Sequence, residues 1–149
     1  MSNILIAGNP DYGLAQALNE QWKESHVRDM AFKSRSFSNT DLTNVHEQKE
    51  FARLSLEHEV TILISCMWGY EQVKLAERVA KQWIEHKHDG YLIVLGSSAD
   101  TPVKGSAWSY PVEKKALRAY CRQLSQISAG DNEYTFKVTY LSPGNMHTP

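Results

Sequence analysis

Asn3-Ile4-Leu5-Ile6-Ala7-Gly8-Asn9-Pro10-Asp11-Tyr12-Gly13-Leu14-Ala15 lies near the start of the chain, and its reading decides the fold. Residues 3–7 form an apolar run too short for a helix and ended by a glycine. Such a run reads as a strand buried on both faces. The Gly- and Pro-containing turn 8–13 breaks it. Leu14, Leu18, Gln21 and Trp22 then recur at helical spacing, so residues 14–24 read as a helix. Strand, glycine turn and helix in that order begin a βαβ unit.

The pattern repeats along the chain. Residues 27–32 read as a second strand and 33–44 as a polar, irregular stretch. Residues 45–56 read as a helix with Thr43 or Asn44 as N-cap. Residues 60–64 are the next buried strand. Residues 72–87 carry a helical face of Val73, Ala76, Val79, Ala80 and Trp83. Tyr91-Leu92-Ile93-Val94-Leu95 is a strand, 96–106 a loop, 110–128 a helix and 136–141 the last strand. Strands alternating with helices of this length predict an α/β fold: a doubly wound, mostly parallel sheet with helices on both faces. Ligands of such sheets bind beyond the carboxyl ends of the strands.

The chain has 149 residues, the size of one domain spanning 1–149. Sixteen Lys+Arg against seventeen Asp+Glu give a formal charge of −1, which excludes nucleic-acid binding driven by bulk positive charge. Two cysteines cannot build a disulfide scaffold or an all-cysteine zinc cluster. There is no apolar run of membrane-span length and no secretory leader pattern at residues 1–18, so a soluble, cytoplasmic protein is expected, with no membrane partner.

The strand ends carry the candidate chemistry. In the first turn, a glycine lets a backbone approach phosphates, and the helix after it offers free N–H groups and a positive dipole end. The same residues also make a plain turn. Tyr110 and Lys114 are four residues apart, on one face of a helix. An ammonium beside a phenol favours the phenolate, which suits the tyrosine to acid–base work near neutral pH. The other reading of the pair is a solvated helix face. Ser97 follows the strand 91–95 and precedes Tyr110 by thirteen residues. A hydroxyl there can hold a carbonyl oxygen near the phenol.

With these residues in place, the chain resembles the short-chain dehydrogenase/reductases from Ile4 to Thr148. A glycine-containing turn follows the first strand. A serine follows the strand 91–95, Tyr-x-x-x-Lys comes thirteen residues later, and Pro143-Gly144-Asn145-Met146-His147-Thr148 follows the last strand. All occur in the family's order. The resemblance implies a Rossmann-like fold with a nicotinamide cofactor and a small carbonyl or alcohol substrate. Its catalytic residues would be Ser97, Tyr110 and Lys114. Tyr110 would pass the proton, Lys114 would bind the nicotinamide ribose and Ser97 would orient the carbonyl. Cofactor contacts would come from Gly8, Asn9, Tyr12, Gly13 and Leu14 in the first turn, and from Asp41 and Leu42 at the adenine. Pro143, Gly144, Met146 and Thr148 would flank the nicotinamide. Homo-oligomerisation, as dimer or tetramer, is also implied.

Lys33-Ser34-Arg35-Ser36 lies where an acidic residue would bind the ribose 2′-hydroxyl of NAD. No acid is present. Arg35, with Ser34 and Ser36, suits the 2′-phosphate of NADP, so NADP is preferred over NAD; the other reading is a solvated basic loop. Gly8 and Gly13 are spaced one residue wider than the family's glycines, and Ala15 stands where a third glycine is common. The asparagine that many members carry in the helix after the strand 60–64 has no counterpart from Tyr70 to Lys87. Members usually continue past Thr148 with a substrate-covering segment. With Pro149 last, the expectation is an open site, one completed by another subunit, or a nucleotide-binding or regulatory protein that keeps the fold without turnover.

Other candidates have ordinary readings beside the functional ones. Cys66 at a strand end either faces the cofactor or is a buried structural thiol. His86 and His88 form His-x-His at a helix end, where imidazoles suit the dipole, and no metal is expected. Trp22 and Trp83 read as core. Trp68 and Trp108, in loops near the strand ends, are candidates for substrate contact.

Overall fold

A computed structural model describes residues 3–8, 13–21, 32–33, 42, 44–67, 69–96, 104–105, 108–130 and 136–142. The elements run β1 (Ile4–Gly8), α1 (Gly13–Gln21), β2 (Phe32–Lys33), α2 (Val45–Glu57), β3 (Ile62–Ser65), α3 (Tyr70–Glu85), β4 (Tyr91–Leu95), α4 (Ser109–Gly130) and β5 (Lys137–Leu141). The five strands form one parallel sheet in the order β2-β1-β3-β4-β5. Parallel neighbours need a crossover, and each helix supplies one. Right-handed crossovers place α1 on one face and α2, α3 and α4 on the other. Chain direction across the sheet reverses between β1 and β3, so the topological switch point lies there.

Register separates the two faces. Leu5, Leu63, Leu92 and Val138 lie side by side across β1, β3, β4 and β5. Ala7, Ser65, Val94 and Tyr140 form the next row on the same face. These rows meet Leu75, Ala76, Val79, Ala80 and Trp83 of α3 and Leu117, Cys121 and Leu124 of α4 in the main core. The α3 residues are the apolar stripe expected from 3.6-residue spacing. On α4 the buried stripe is Pro111, Lys114, Leu117, Cys121 and Leu124. A lysine therefore stands in an apolar stripe, which excludes the solvated-face reading for Lys114.

Local signals explain the helix ends. Asn44 caps α2, its side chain accepting from the His46 N–H at 2.8 Å. Gln48 is fully buried between α2 and α3. Its amide donates to the Leu42 carbonyl at 2.8 Å and to Glu71 at 2.6 Å, and its oxygen accepts from Arg78 at 2.8 Å. At the amino end of the sheet, the buried Trp83 indole donates to Ser55 Oγ at 2.9 Å. His88 lies against it and contacts the Val60 carbonyl at 2.6 Å.

The expected strand at 27–32 meets β2 only at Phe32, and residues 27–31 lie outside the described ones. Lys33, expected in an irregular stretch, pairs with Gly8. Among the described residues no helix is long and apolar enough to cross a membrane.

Candidate functional site

The carboxyl ends of β1, β3 and β4 meet where the chain must pass without side chains. Gly8, the last residue of β1, is buried against the first turn of α1 and the residue after β3. A Cβ on Gly8 would lie 2.9 Å from Ala15 Cβ and 3.1 Å from Cys66 Cβ. The Cys66 N–H donates to the Ala7 carbonyl at 2.7 Å, fixing the two strand ends. Close helix–strand approach is achieved here by an alanine facing a glycine. Gly13 opens α1 with φ +64°, a conformation that favours glycine.

Lys114 reaches the same edge from α4. It is 4% exposed. Its Nζ donates to Gln72 Oε1 at 2.8 Å, and at longer range to the Met67 carbonyl at 3.4 Å and the Leu95 carbonyl at 3.5 Å. All three acceptors are neutral. Burial therefore holds the Lys114 amine below the usual lysine pKa, while Glu113 and Cys66 act in the opposite direction. The ammonium lies 5.7 Å from the centre of the Tyr110 ring, one turn earlier on α4. The predicted pair is thus brought together, with its lysine turned toward the strand ends.

Burial pushes the partly buried Cys66 thiol up to about 12, against the opposing effect of Lys114. Beside β4, the Gly96 N–H donates to the Leu141 carbonyl at 2.7 Å, and the Tyr140 ring lies against Gly96. Leu42 places its side chain in the core, and Leu14 is half-buried on α1. Ser97, Asn9, Tyr12, Ser34, Arg35, Ser36, Asp41, Pro143, Gly144, Met146, Thr148 and Trp68 lie outside the described residues.

Gln72 is the site residue that the sequence reading passed over. It is fully buried. Besides accepting from Lys114, its amide nitrogen donates to the Leu95 carbonyl at 3.0 Å and to the Ser65 carbonyl and Oγ, each at 3.2 Å. A signal was available: Gln72 falls on the stripe that continues through Leu75, Ala76 and Val79. A polar residue on an apolar stripe needs a buried partner.

The exposed large apolar residues among the described ones all sit at this pole. Val45, Tyr70, Trp108 and Val112 start helices, and Leu141 ends β5. Among the described residues no group of three or more His, Cys, Asp and Glu could hold a metal ion. His86 and His88 each contact a backbone carbonyl instead.

No protein-family model and no curated protein sequence matches the chain. Solved structures do. A short-chain dehydrogenase/reductase from Burkholderia phymatum in complex with NAD matches with a TM-score of 0.75 at 13% identity, covering 99% of this chain and 67% of that one. A short-chain dehydrogenase from Burkholderia cenocepacia J2315 in complex with NADP matches with a TM-score of 0.72 at 16% identity, over 99% and 73%. One from Leptospira borgpetersenii with bound NAD+ matches with a TM-score of 0.66 at 20% identity, over 98% and 72%. The chain has the Rossmann-type fold of the short-chain dehydrogenases/reductases.

Proposed function

We propose that the chain is an NAD(P)-dependent oxidoreductase of the short-chain dehydrogenase/reductase type, acting on a small carbonyl or alcohol. One observation carries this reading: a tyrosine and a buried lysine, paired on α4, stand at the carboxyl ends of the strands of a fold whose solved examples include proteins with NAD and NADP.

The residues present fit a dinucleotide. Gly8 and Ala15 let β1 and α1 approach closely beside the switch point. Gly13 starts α1, and the first N–H groups of a helix suit a phosphate. Gly8, Asn9, Tyr12, Gly13 and Leu14 would hold the pyrophosphate and Asp41 the adenine end; the Leu42 side chain, expected there too, is buried in the core instead. Cys66, Pro143, Gly144, Met146 and Thr148 would line the nicotinamide end. Arg35, with Ser34 and Ser36, favours NADP over NAD. When bound, the nicotinamide supplies or accepts the hydride.

This chain's own residues do the rest. Ser97 orients the substrate oxygen by a hydrogen bond. Tyr110 gives or takes the proton at that oxygen. Lys114 directs its ammonium at the ribose hydroxyls, one turn along α4 from the Tyr110 ring. Trp108, exposed at the same pole, offers an apolar wall to the substrate.

A second reading has an observation of its own. The Lys114 ammonium has three protein oxygens within 3.5 Å, which suits a domain that binds nucleotide without turnover. One experiment separates the two. NADPH and NADH are titrated against intrinsic fluorescence, then a carbonyl panel is offered and nicotinamide absorbance followed. The oxidoreductase reading expects tighter NADPH binding and turnover that Tyr110→Phe lowers by about 10²–10⁴-fold. Binding with no turnover on any carbonyl supports the second reading. Failure of both nucleotides to bind removes both. Light scattering during size exclusion tests the expected dimer or tetramer.

A further inference from the structure

Gln72 is placed to do something no apolar residue or carboxylate could. Its amide is bipolar: the oxygen end accepts from the Lys114 ammonium, and the nitrogen end donates to the Ser65 and Leu95 carbonyls where β3 and β4 leave the sheet. A leucine would leave the ammonium without its shortest bond. A glutamate would pair with the ammonium but turn an oxygen toward the Ser65 and Leu95 carbonyls, replacing attraction by repulsion. Glutamine satisfies both sides, and no buried side-chain nitrogen or oxygen among the described residues lacks a partner.

We propose that Gln72 is a positioning residue that anchors Lys114: it fixes the ammonium at the carboxyl ends of β3 and β4 through one short bond, while its two remaining contacts are long ones that a ligand can replace. The bond lengths carry this. The Gln72 contact at 2.8 Å is a full hydrogen bond, whereas those to Met67 and Leu95 lie at 3.4 and 3.5 Å, at the long limit. A bound ribose can replace the two weak partners without dislodging the strong one. The anchor is neutral, so it holds the charge in place without cancelling it. The titratable groups facing Lys114 are Cys66 beyond β3, and Tyr110 and Glu113 on its own helix. Its bonded partners from α3 and β4 are uncharged. Gln72 itself touches no reacting atom.

The inference rests on the nicotinamide reading for its purpose, and its test has one arm that does not. In the labelled, nucleotide-free protein, the Lys114 13Cε resonance, assigned by its loss in Lys114→Arg, is followed through pH. Gln72→Met removes an acceptor of the charged form, so the Lys114 titration should move to lower pH; Gln72→Glu should move it to higher pH. Ser65→Ala loosens the strand-end bonding alone. It should lower thermal stability and leave the Lys114 titration in place. In the second arm, Gln72→Met should weaken NADPH binding by about tenfold or more, the scale of one hydrogen bond to a charged group. Gln72→Asn, one methylene shorter, should not restore it. An unchanged Lys114 titration in Gln72→Met, with only a lower melting temperature, would overturn the proposal and leave Gln72 as a strand staple. If Gln72→Met does not fold, the Gln72→Glu titration decides by the same criterion. A wild-type protein that binds no nicotinamide nucleotide would sink the proposed function, while the titration arm would still judge the anchor.

Discussion

Gly8→Ala should destabilise the fold although alanine is at ease in a strand. Gly8 has no positive φ, so the conformation admits a side chain. Replacing Gly by Ala at a compatible position ordinarily stabilises by about 0.4–1 kcal/mol through the unfolded chain. Here the new methyl would sit 2.9 Å from Ala15 Cβ and 3.1 Å from Cys66 Cβ. Both are tethered to backbone and cannot rotate away, so α1 must lift off β1. Such overpacking costs roughly 1–3 kcal/mol. The cost exceeds the gain, leaving a net loss of about 1–2 kcal/mol. Ala15→Gly alone should cost up to about 1 kcal/mol in helix propensity. It also removes one clashing methyl, so Gly8→Ala with Ala15→Gly should be less destabilised than the sum of the two, by about 1 kcal/mol. Urea melts of the four proteins measure this cycle. Strict additivity, or a Gly8→Ala as stable as wild type, would refute the close-approach argument.

Lys114→Met should change how stability depends on pH. The folded chain holds the Lys114 proton less tightly than the unfolded chain does. Stability therefore rises with pH between the depressed folded value and about 10.4, the ordinary lysine value. The variant should lack that rise, and denaturant melts from neutral to alkaline pH read the difference; parallel curves would place Lys114 in solvent. The same substitution should weaken NADPH binding as well as rate, and an unchanged affinity would remove Lys114 from the ribose. Cys66 and Cys121, both pushed to about 12 chiefly by burial, should resist thiol reagents at neutral pH in the native protein and react on unfolding. Rapid labelling of the native protein would contradict this. Arg35→Ser should cost NADPH affinity and spare NADH. Equal losses would show that Arg35 does not read the 2′-phosphate.

The sequence made the sheet legible where burial is two-sided. The runs 3–7, 60–64 and 91–95 became β1, β3 and β4 because a strand covered on both faces must be apolar throughout. β2 was harder to read. Among the described residues it pairs with β1 over Phe32 and Lys33, and two residues show no periodicity. The Tyr110–Lys114 pair could be found by spacing, but its burial could not be told from a solvated face by spacing alone. The buried stripe from Pro111 to Leu124 settles it, since Lys114 falls on that stripe. Gln72 escaped because its partner Lys114 is 42 residues away on another helix. Only the parallel sheet brings α3 and α4 side by side.

Two tryptophans occupy opposite poles of the sheet. Trp83 is 1% exposed and tied to Ser55, while Trp108 is 67% exposed where α4 begins. A version keeping only these two would carry two separable optical signals. Trp83 would emit at shorter wavelength, shielded from aqueous quenchers, and would respond only to loss of packing. Trp108 would emit from water and respond to whatever arrives at the strand ends. Folding and ligand capture could then be timed in one cuvette, each with its own clock.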